Sequence, residues 1–291
     1  MKILIFGGSG MLGHKLVQHL SPRFDVRFTL HHQFAPLERF GIFEPTAAIE
    51  HVDAADPTAI RKAIEIAEPD VVINAVGLIK QLPSSGDVIS TLTLNSIFPH
   101  RLAEFAAEFR FRLITISTDC VFDGSTGGYA EADEPNAHDL YGKSKNLGEV
   151  TQKGCLTLRT SIIGRELTSA HSLVDWFLSN RGKTLKGYAR AIYSGFPTVI
   201  FAGIIGDLVD RYKDLSGLYH VSSEPIDKYR LLCLFKDKFG VGIDIEPDED
   251  FVIDRSLNSD KFRNATGFRP MAWDEMIAAM ADDPTPYDKW K

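Results

Sequence analysis

At 291 residues, with 44% hydrophobic and 24% charged side chains, the chain has the make-up of an ordinary soluble globular protein. A net charge of −7 and a pI near 5.7 remove the electrostatic case for binding nucleic acid. No apolar run reaches the roughly 18 residues of a membrane span. The three cysteines, Cys120, Cys155 and Cys233, match neither a metal spacing nor a disulfide framework, so no metal site is expected and a reducing cytoplasm is the simplest location.

The first apolar run, KILIF at 2–6, reads as a buried strand, and its early start leaves no room for a signal peptide. Gly7-Gly8-Ser9-Gly10-Met11-Leu12-Gly13 follows, and then a helical pattern with Leu12, Leu16 and Leu20 on one face. A strand, a glycine turn and a helix in that order form a dinucleotide site. Gly7 permits the tight turn, Gly10 lets a pyrophosphate approach, and Gly13 allows close helix–strand packing. The phosphates would lie at the helix N-terminus, where free N–H groups favour negative charge. Gly7, Gly10, Met11 and Leu12 are therefore the candidate pyrophosphate residues.

The second strand is expected over 26–30. A site that prefers NAD carries an acidic residue at the end of that strand. Here His31 and His32 stand there, with Arg27 inside the strand and no carboxylate to repel a 2′-phosphate. This favours NADPH, with NADH as the alternative. Asp53, after the third strand, is placed to meet the adenine edge. Ala75, Val76 and Gly77 follow Asn74 at the end of the fourth strand, where a dinucleotide would pass over the strand ends.

Strands KILIF, DVRFTL, AIEHVDA, DVVINAV, FRLITIST and CLTLRTS alternate with helical stretches at 12–22, 57–67, 90–108 and 139–152. Such alternation implies an α/β fold, a Rossmann-type doubly wound parallel sheet. Past residue 161 the pattern loosens into helices at 172–180, 199–212, 226–239, 258–266 and 273–281, with one strand at 217–222. The expected division is a dinucleotide-binding core over 1–161 and a smaller, mostly helical substrate lobe over 162–291, parts of which return to the core.

The chemistry concentrates in DLYGKSK. Tyr141 and Lys145 share a helix face at i and i+4. An ammonium beside a phenol favours the phenolate, so Tyr141 is expected to have a lowered pKa and to exchange a proton with a carbonyl or an alcohol. Thr118, at the end of the fifth strand, could hydrogen-bond the same oxygen. Lys145 would also reach the ribose hydroxyls of the cofactor, and Asn95 could orient a group behind it. Lys80 could meet a phosphate, although a solvated loop lysine is the better reading.

The glycine turn, NAVG, STDCVFDG and YGKSK together resemble the extended short-chain dehydrogenase/reductase superfamily. Within it the chain is most similar to the dTDP-4-dehydrorhamnose reductase branch. LRTS at 158–161, GFPT at 195–198, GLYHV at 217–221 and RSLNS at 255–259 extend the resemblance over nearly the whole length. It implies reduction of the 4-keto group of a nucleotide-linked deoxysugar, with Thr118, Tyr141 and Lys145 as catalytic residues. It also implies substrate contacts from Ser117, Asp119, Cys120, Phe122, Pro197, Thr198 and Arg255, Arg255 gripping a diphosphate. Members of this kind often form homodimers. Two departures put the sugar in question: Cys120 stands where the family often has an aromatic residue, and Ile162-Ile163 where it has an aromatic pair.

Three rivals remain. A 4,6-dehydratase would need an adjacent Asp and Glu after the threonine, and Cys120 replaces the glutamate. An epimerase would use the same Thr, Tyr and Lys. A non-catalytic relative would keep the fold and regulate a partner enzyme; an intact Tyr141 and Lys145 argue against it.

Overall fold

The computed structural model describes residues 1–78 and 86–290. In chain order the elements are β1 (Lys2–Phe6), α1 (Gly13–Leu20), β2 (Asp25–Thr29), β3 (Ala48–Ile49), α2 (Pro57–Ala67) and β4 (Val71–Asn74). Then come α3 (Val88–Leu92), α4 (Phe98–Phe109), β5 (Arg112–Thr118), α5 (Leu140–Leu147), β6 (Cys155–Thr160) and β7 (Ile162–Ile163). The remainder is α6 (Leu173–Leu178), β8 (Thr184–Tyr193), β9 (Phe196–Pro197), α7 (Thr198–Asp210), β10 (Gly217–His220), β11 (Ile226–Asp227), α8 (Lys228–Phe239), β12 (Asp244–Asp254), α9 (Asp260–Thr266) and α10 (Trp273–Ala281).

Seven strands form one sheet in the order β10-β6-β5-β4-β1-β2-β3, every pairing parallel. This is the doubly wound order with β10 added beyond β6. A parallel sheet needs cover on both faces, so its strands are apolar on both. Ile3 and Ile5 of β1 join one buried cluster with Leu16, Phe201 and Ile205, while Leu4 and Phe6 join another with Ile60, Ile64 and Leu102. The chain order reverses between β1 and β4, which opens a crevice at their carboxyl ends.

Local chemistry sets the helix boundaries. Asp56 caps α2 by accepting from Thr58 N, with Pro57 at the first helical position, and the helix ends at Glu68 in the left-handed region. The expected helix over 90–108 is interrupted by a π turn, Thr93–Ile97, between α3 and α4. Five strands were not expected: the two-residue β7, β9 and β11, and the long β8 and β12, which form a second sheet with β11. Nearly every position of β12 is partly or fully exposed, and it carries Pro247 among six acidic residues, so neither alternation nor β-propensity marks it. Among the described residues no helix is long and apolar enough to cross a membrane.

Candidate active site

The glycine turn has the geometry that a dinucleotide needs. Gly7 has φ +85°, and a Cβ on Gly13 would lie 2.0 Å from the Gly7 carbonyl oxygen, so α1 can press against the end of β1 only with glycine there. Helix α1 starts without a side-chain cap and without an acidic residue in its first turn, leaving its positive end to a ligand. His14 braces the turn: Nδ1 lies 2.8 Å from the Gly10 carbonyl and Nε2 2.6 Å from the Tyr287 hydroxyl. Burial pulls its pKa down to about 4, so it is neutral at physiological pH. Leu12 is buried beneath the turn, and Met11 is half-buried.

At the sheet edge His31 is exposed, 3.2 Å from a His32 ring nitrogen and 4.0 Å from the Asp53 carboxylate. The sequence reading had no carboxylate at the end of β2; the fold brings one there from beyond β3. Asp53 also accepts from Ala55 N at 2.8 Å. Ala75 and Val76 abut the glycine turn: a Cβ on Gly7 would lie 3.0 Å from the Val76 methyl and 3.3 Å from the Ala75 carbonyl carbon. A Cβ on Gly77 would lie 3.3 Å from Asn95 Oδ1 and 3.9 Å from Lys145 Nζ. The dinucleotide candidates of β1 and β4 thus converge with Asn95 and Lys145.

Helix α5 carries Tyr141 and Lys145. Asp139 caps it by accepting from Gly142 N at 2.9 Å. A Cβ on Gly142 would lie 2.2 Å from the Cys120 carbonyl oxygen, so this glycine lets α5 lie directly on the turn that follows β5. Lys145 Nζ donates to the Ile116 carbonyl at 2.7 Å, and burial draws its pKa down to about 8, opposed by the nearby Glu149 charge. The π turn aims Asn95 at the loop after β4: Oδ1 accepts from Leu78 N at 2.9 Å, and Nδ2 donates to the Leu78 carbonyl and to Ser144 Oγ, each at 3.1 Å. Asn95 thus ties the Leu78 backbone to Ser144 of α5.

Tyr141 is half-buried as a residue, but its phenol end is enclosed and shares a hydrogen bond with Thr118. The expected lowering of its pKa is not found. Burial is the largest effect and raises it; the neighbouring Cys120 and the Asp119 charge add to the rise, and only the Thr118 bond works the other way. Lys145 does not offset this, because its ammonium is directed at the Ile116 carbonyl. Thr118 Oγ1 donates to Asp119 Oδ1 at 3.1 Å and accepts from Cys120 N at 3.1 Å. Asp119 is 5% exposed, and burial raises its pKa.

The other expected substrate residues separate into two groups. Asp119, Cys120 and Arg255 gather around Thr118 and Tyr141. Arg255 lies within electrostatic range of Asp119, and its Nε donates to the Phe122 carbonyl at 3.0 Å. Its guanidinium thus holds the loop after β5. Ser117 points elsewhere, donating at 2.7 Å to Glu149, which also forms a buried two-point pair with Arg159. Phe122 is a correction: it is fully buried, stacked on Tyr129 at 4.1 Å, and has no surface left for a substrate. Pro197 and Thr198 are corrections of the same kind. Both are buried where β9 meets α7, and Thr198 closes on Gly164, where a Cβ would lie 2.3 Å from Thr198 Oγ1. Lys80 lies outside the described residues, among which no cluster of His, Cys, Asp and Glu could hold a metal ion.

Sequence reasoning missed Gly142, Tyr193 and Lys228. Gly142 could have been found from its place inside Y-G-K-S-K, where a helix-interior glycine asks for a reason. Tyr193 and Lys228 carry no local signal, because only the pairing of β8 with β11 brings them to the site.

Sheet order and the glycine turn give the chain the fold of the short-chain dehydrogenase/reductase class. The chain belongs to the RmlD substrate binding domain family, whose pattern it matches over residues 1–285. It is similar to a solved structure described as a hypothetical dTDP-4-dehydrorhamnose reductase from Sulfolobus tokodaii. The two are 26% identical with a TM-score of 0.77, over 94% of this chain and 98% of that one. It also shares its fold with dTDP-4-dehydrorhamnose reductase from Bacillus anthracis, solved in complex with NADP. There the TM-score is 0.78 at 19% identity, over 96% of this chain and 98% of the other. Among curated proteins it is similar to methionine adenosyltransferase 2 subunit beta of Xenopus tropicalis. That match is 29% identical over 164 residues, 51% of this chain and 48% of the relative, so it spans about half the relative's length.

Proposed function

We propose that this protein is an NAD(P)H-dependent reductase of a keto group on a nucleotide-linked sugar, of the dTDP-4-dehydrorhamnose reductase kind. NADPH is the favoured donor and NADH the alternative, since Asp53 beside His31 weakens the case against NADH. The observation that carries the reading is the grouping of Tyr141 with Thr118 beside the end of β5, with Lys145 held on the Ile116 carbonyl and Asn95 on the loop after β4.

A reduced dinucleotide, held at its pyrophosphate by the glycine turn and at its ribose by Lys145, would supply hydride. Thr118 and Tyr141 hold the substrate carbonyl oxygen, and Tyr141 donates its proton as that oxygen becomes an alkoxide. The phenol is protonated at neutral pH and begins the cycle as an acid. An epimerase must first take a proton from a hydroxyl, which needs the ionised phenol that burial disfavours. Lys145, held on the Ile116 carbonyl at 2.7 Å, has further N–H donors to offer the ribose hydroxyls of a bound dinucleotide.

The test incubates the protein with NADPH or NADH and a panel of 4-keto nucleotide sugars while following the loss of dinucleotide absorbance. Tyr141→Phe is expected to lower kcat by roughly two to four decades, the worth of a general acid, with dinucleotide affinity nearly unchanged. Full turnover by Tyr141→Phe would overturn the assignment. The similarity to a protein named as a subunit of methionine adenosyltransferase favours a second reading, a dinucleotide-binding regulatory subunit. That reading predicts dinucleotide binding, no turnover across the panel, and an altered rate in a partner enzyme.

A further inference from the structure

Four segments meet beside Thr118. Arg255 N donates to the Ile192 carbonyl at 3.1 Å, and Asp254 N donates to the Gly124 carbonyl at 2.8 Å. Tyr193 pairs with Ile226 across β8 and β11, which puts Lys228 two residues on, at the start of α8. Lys228 Nζ lies over the Tyr193 ring, 3.9 Å from its centroid. It is within electrostatic range of Asp119 and Cys120, and burial lowers its pKa. An ammonium, a carboxylate and a phenol thus lie together next to the catalytic candidates.

Two of these groups stand out by their partners. The other cations most withdrawn from solvent are matched: Lys15 with Asp283 at 2.6 Å, Arg159 with Glu149 at 2.7 Å, Arg165 with Asp175 at 2.7 Å, and Lys145 with the Ile116 carbonyl. Among the described residues Lys228 has no hydrogen bond and no ion-pair contact; it senses Asp119 without touching it. The Tyr193 hydroxyl is buried, on a residue 4% exposed, and it too has no hydrogen-bond partner. The enclosed Tyr193 hydroxyl costs stability unless something satisfies it, and the half-buried Lys228 beside it has donors to spare. Were Lys228 only the neutralising partner of Asp119, the two would be in contact.

We propose that Lys228, with Tyr193 and Asp119, is a substrate-recognition site for a neutral sugar substituent that offers one acceptor and one donor, and that an amide on the sugar ring fits it best. This rests on the reductase reading above and names its substrate class. Lys228 donates to the amide oxygen, and Asp119 accepts from the amide N–H. An amide spans a separated ammonium and carboxylate better than a single hydroxyl does. A carboxylate substituent would meet the Asp119 charge.

The test measures binding by calorimetry with NADP⁺ present, using UDP, UDP-glucose, UDP-N-acetylglucosamine and UDP-glucuronate, and the dTDP series in parallel. The wild-type protein is expected to bind the N-acetyl sugar at least about tenfold tighter than the glucose or glucuronate form, the worth of one charge-assisted hydrogen bond. Lys228→Met should bring that preference to within about twofold with UDP affinity unchanged. Lys228→Arg should retain most of it, and Tyr193→Phe should reduce it in part. Melting temperatures confirm that each variant is folded. Equal binding of all three sugars by the wild-type protein would overturn the proposal. So would a Lys228→Met variant that loses affinity for UDP itself, since Lys228 would then hold the diphosphate. Binding of neither UDP nor dTDP would remove the reductase reading itself, and this inference with it.

Discussion

Gly142→Ala is the sharpest probe of the site, because it adds one methyl group and removes no functional atom. The new Cβ would sit 2.2 Å from the Cys120 carbonyl oxygen and 2.5 Å from Ala137 Cβ. Both neighbours belong to a packed loop, and neither is the tip of a flexible side chain. Restoring ordinary contact with the carbonyl, from 2.2 to 3.4 Å, requires α5 and the turn after β5 to separate by about 1.2 Å. That movement opens the Thr118–Tyr141 hydrogen bond and draws Lys145 from the Ile116 carbonyl. A misplacement of about 1 Å can lower a rate about 10²-fold, or about 2.7 kcal/mol in the barrier. Overpacking costs about 1–3 kcal/mol in stability. At roughly 2.1 cal/mol/K of unfolding entropy per residue, a chain of 291 residues loses about 2–5 °C in Tm. The assay is kcat on whichever 4-keto nucleotide sugar the panel identifies, alongside dinucleotide affinity and a melting curve. The expected result is a folded protein with unchanged dinucleotide binding and kcat down about a hundredfold. Wild-type kcat would refute the claim that Tyr141 must sit against Thr118.

Two further expectations concern stability. Arg159→Met leaves Glu149 as a buried, unmatched carboxylate, since their side chains are only 3% and 8% exposed. The expected loss is about 3–5 kcal/mol, or about 5–8 °C in Tm. Arg159→Met with Glu149→Gln should recover at least half of it, and a double variant as unstable as the single one would show that the charge is not the cause. His14 and His220 are both held neutral by burial, with pKa values drawn from 6.5 down to about 4. Between these values the unfolded chain binds more protons than the folded one. Stability is therefore full above pH 6.5 and falls as the pH drops toward 4, by about 3 kcal/mol for each histidine. Melting between pH 7 and 5 should show the fall, and His14→Gln should make it shallower; an unchanged slope would mean that His14 does not titrate on unfolding.

The parallel-sheet core was legible in the residues because its signals are local. A buried strand such as KILIF reads as apolar without knowing its neighbours. Gly7 and Gly13 mark a turn whose backbone contacts span six residues, and Tyr141 and Lys145 share a helix face by spacing alone. The helix expected over 57–67 is found at Pro57–Ala67, and the Asp56 cap that starts it is a contact only the structure shows. What the sequence could not give depends on contacts between distant segments. The pKa of Tyr141 follows from enclosure by Thr118, Cys120 and Asp119, and burial outweighs a lysine whose charge is directed at a carbonyl. Phe122, Pro197 and Thr198 lie in or beside motifs that promised substrate contacts, yet the loop after β5 and the start of α7 fold them inward. Asp53 reaches His31 only because β3 pairs with β2, and Lys228 reaches the site only because β11 pairs with β8. Spacing along a chain fixes which groups can share an element, but the dielectric around each group, and therefore its charge, is decided by what packs over it.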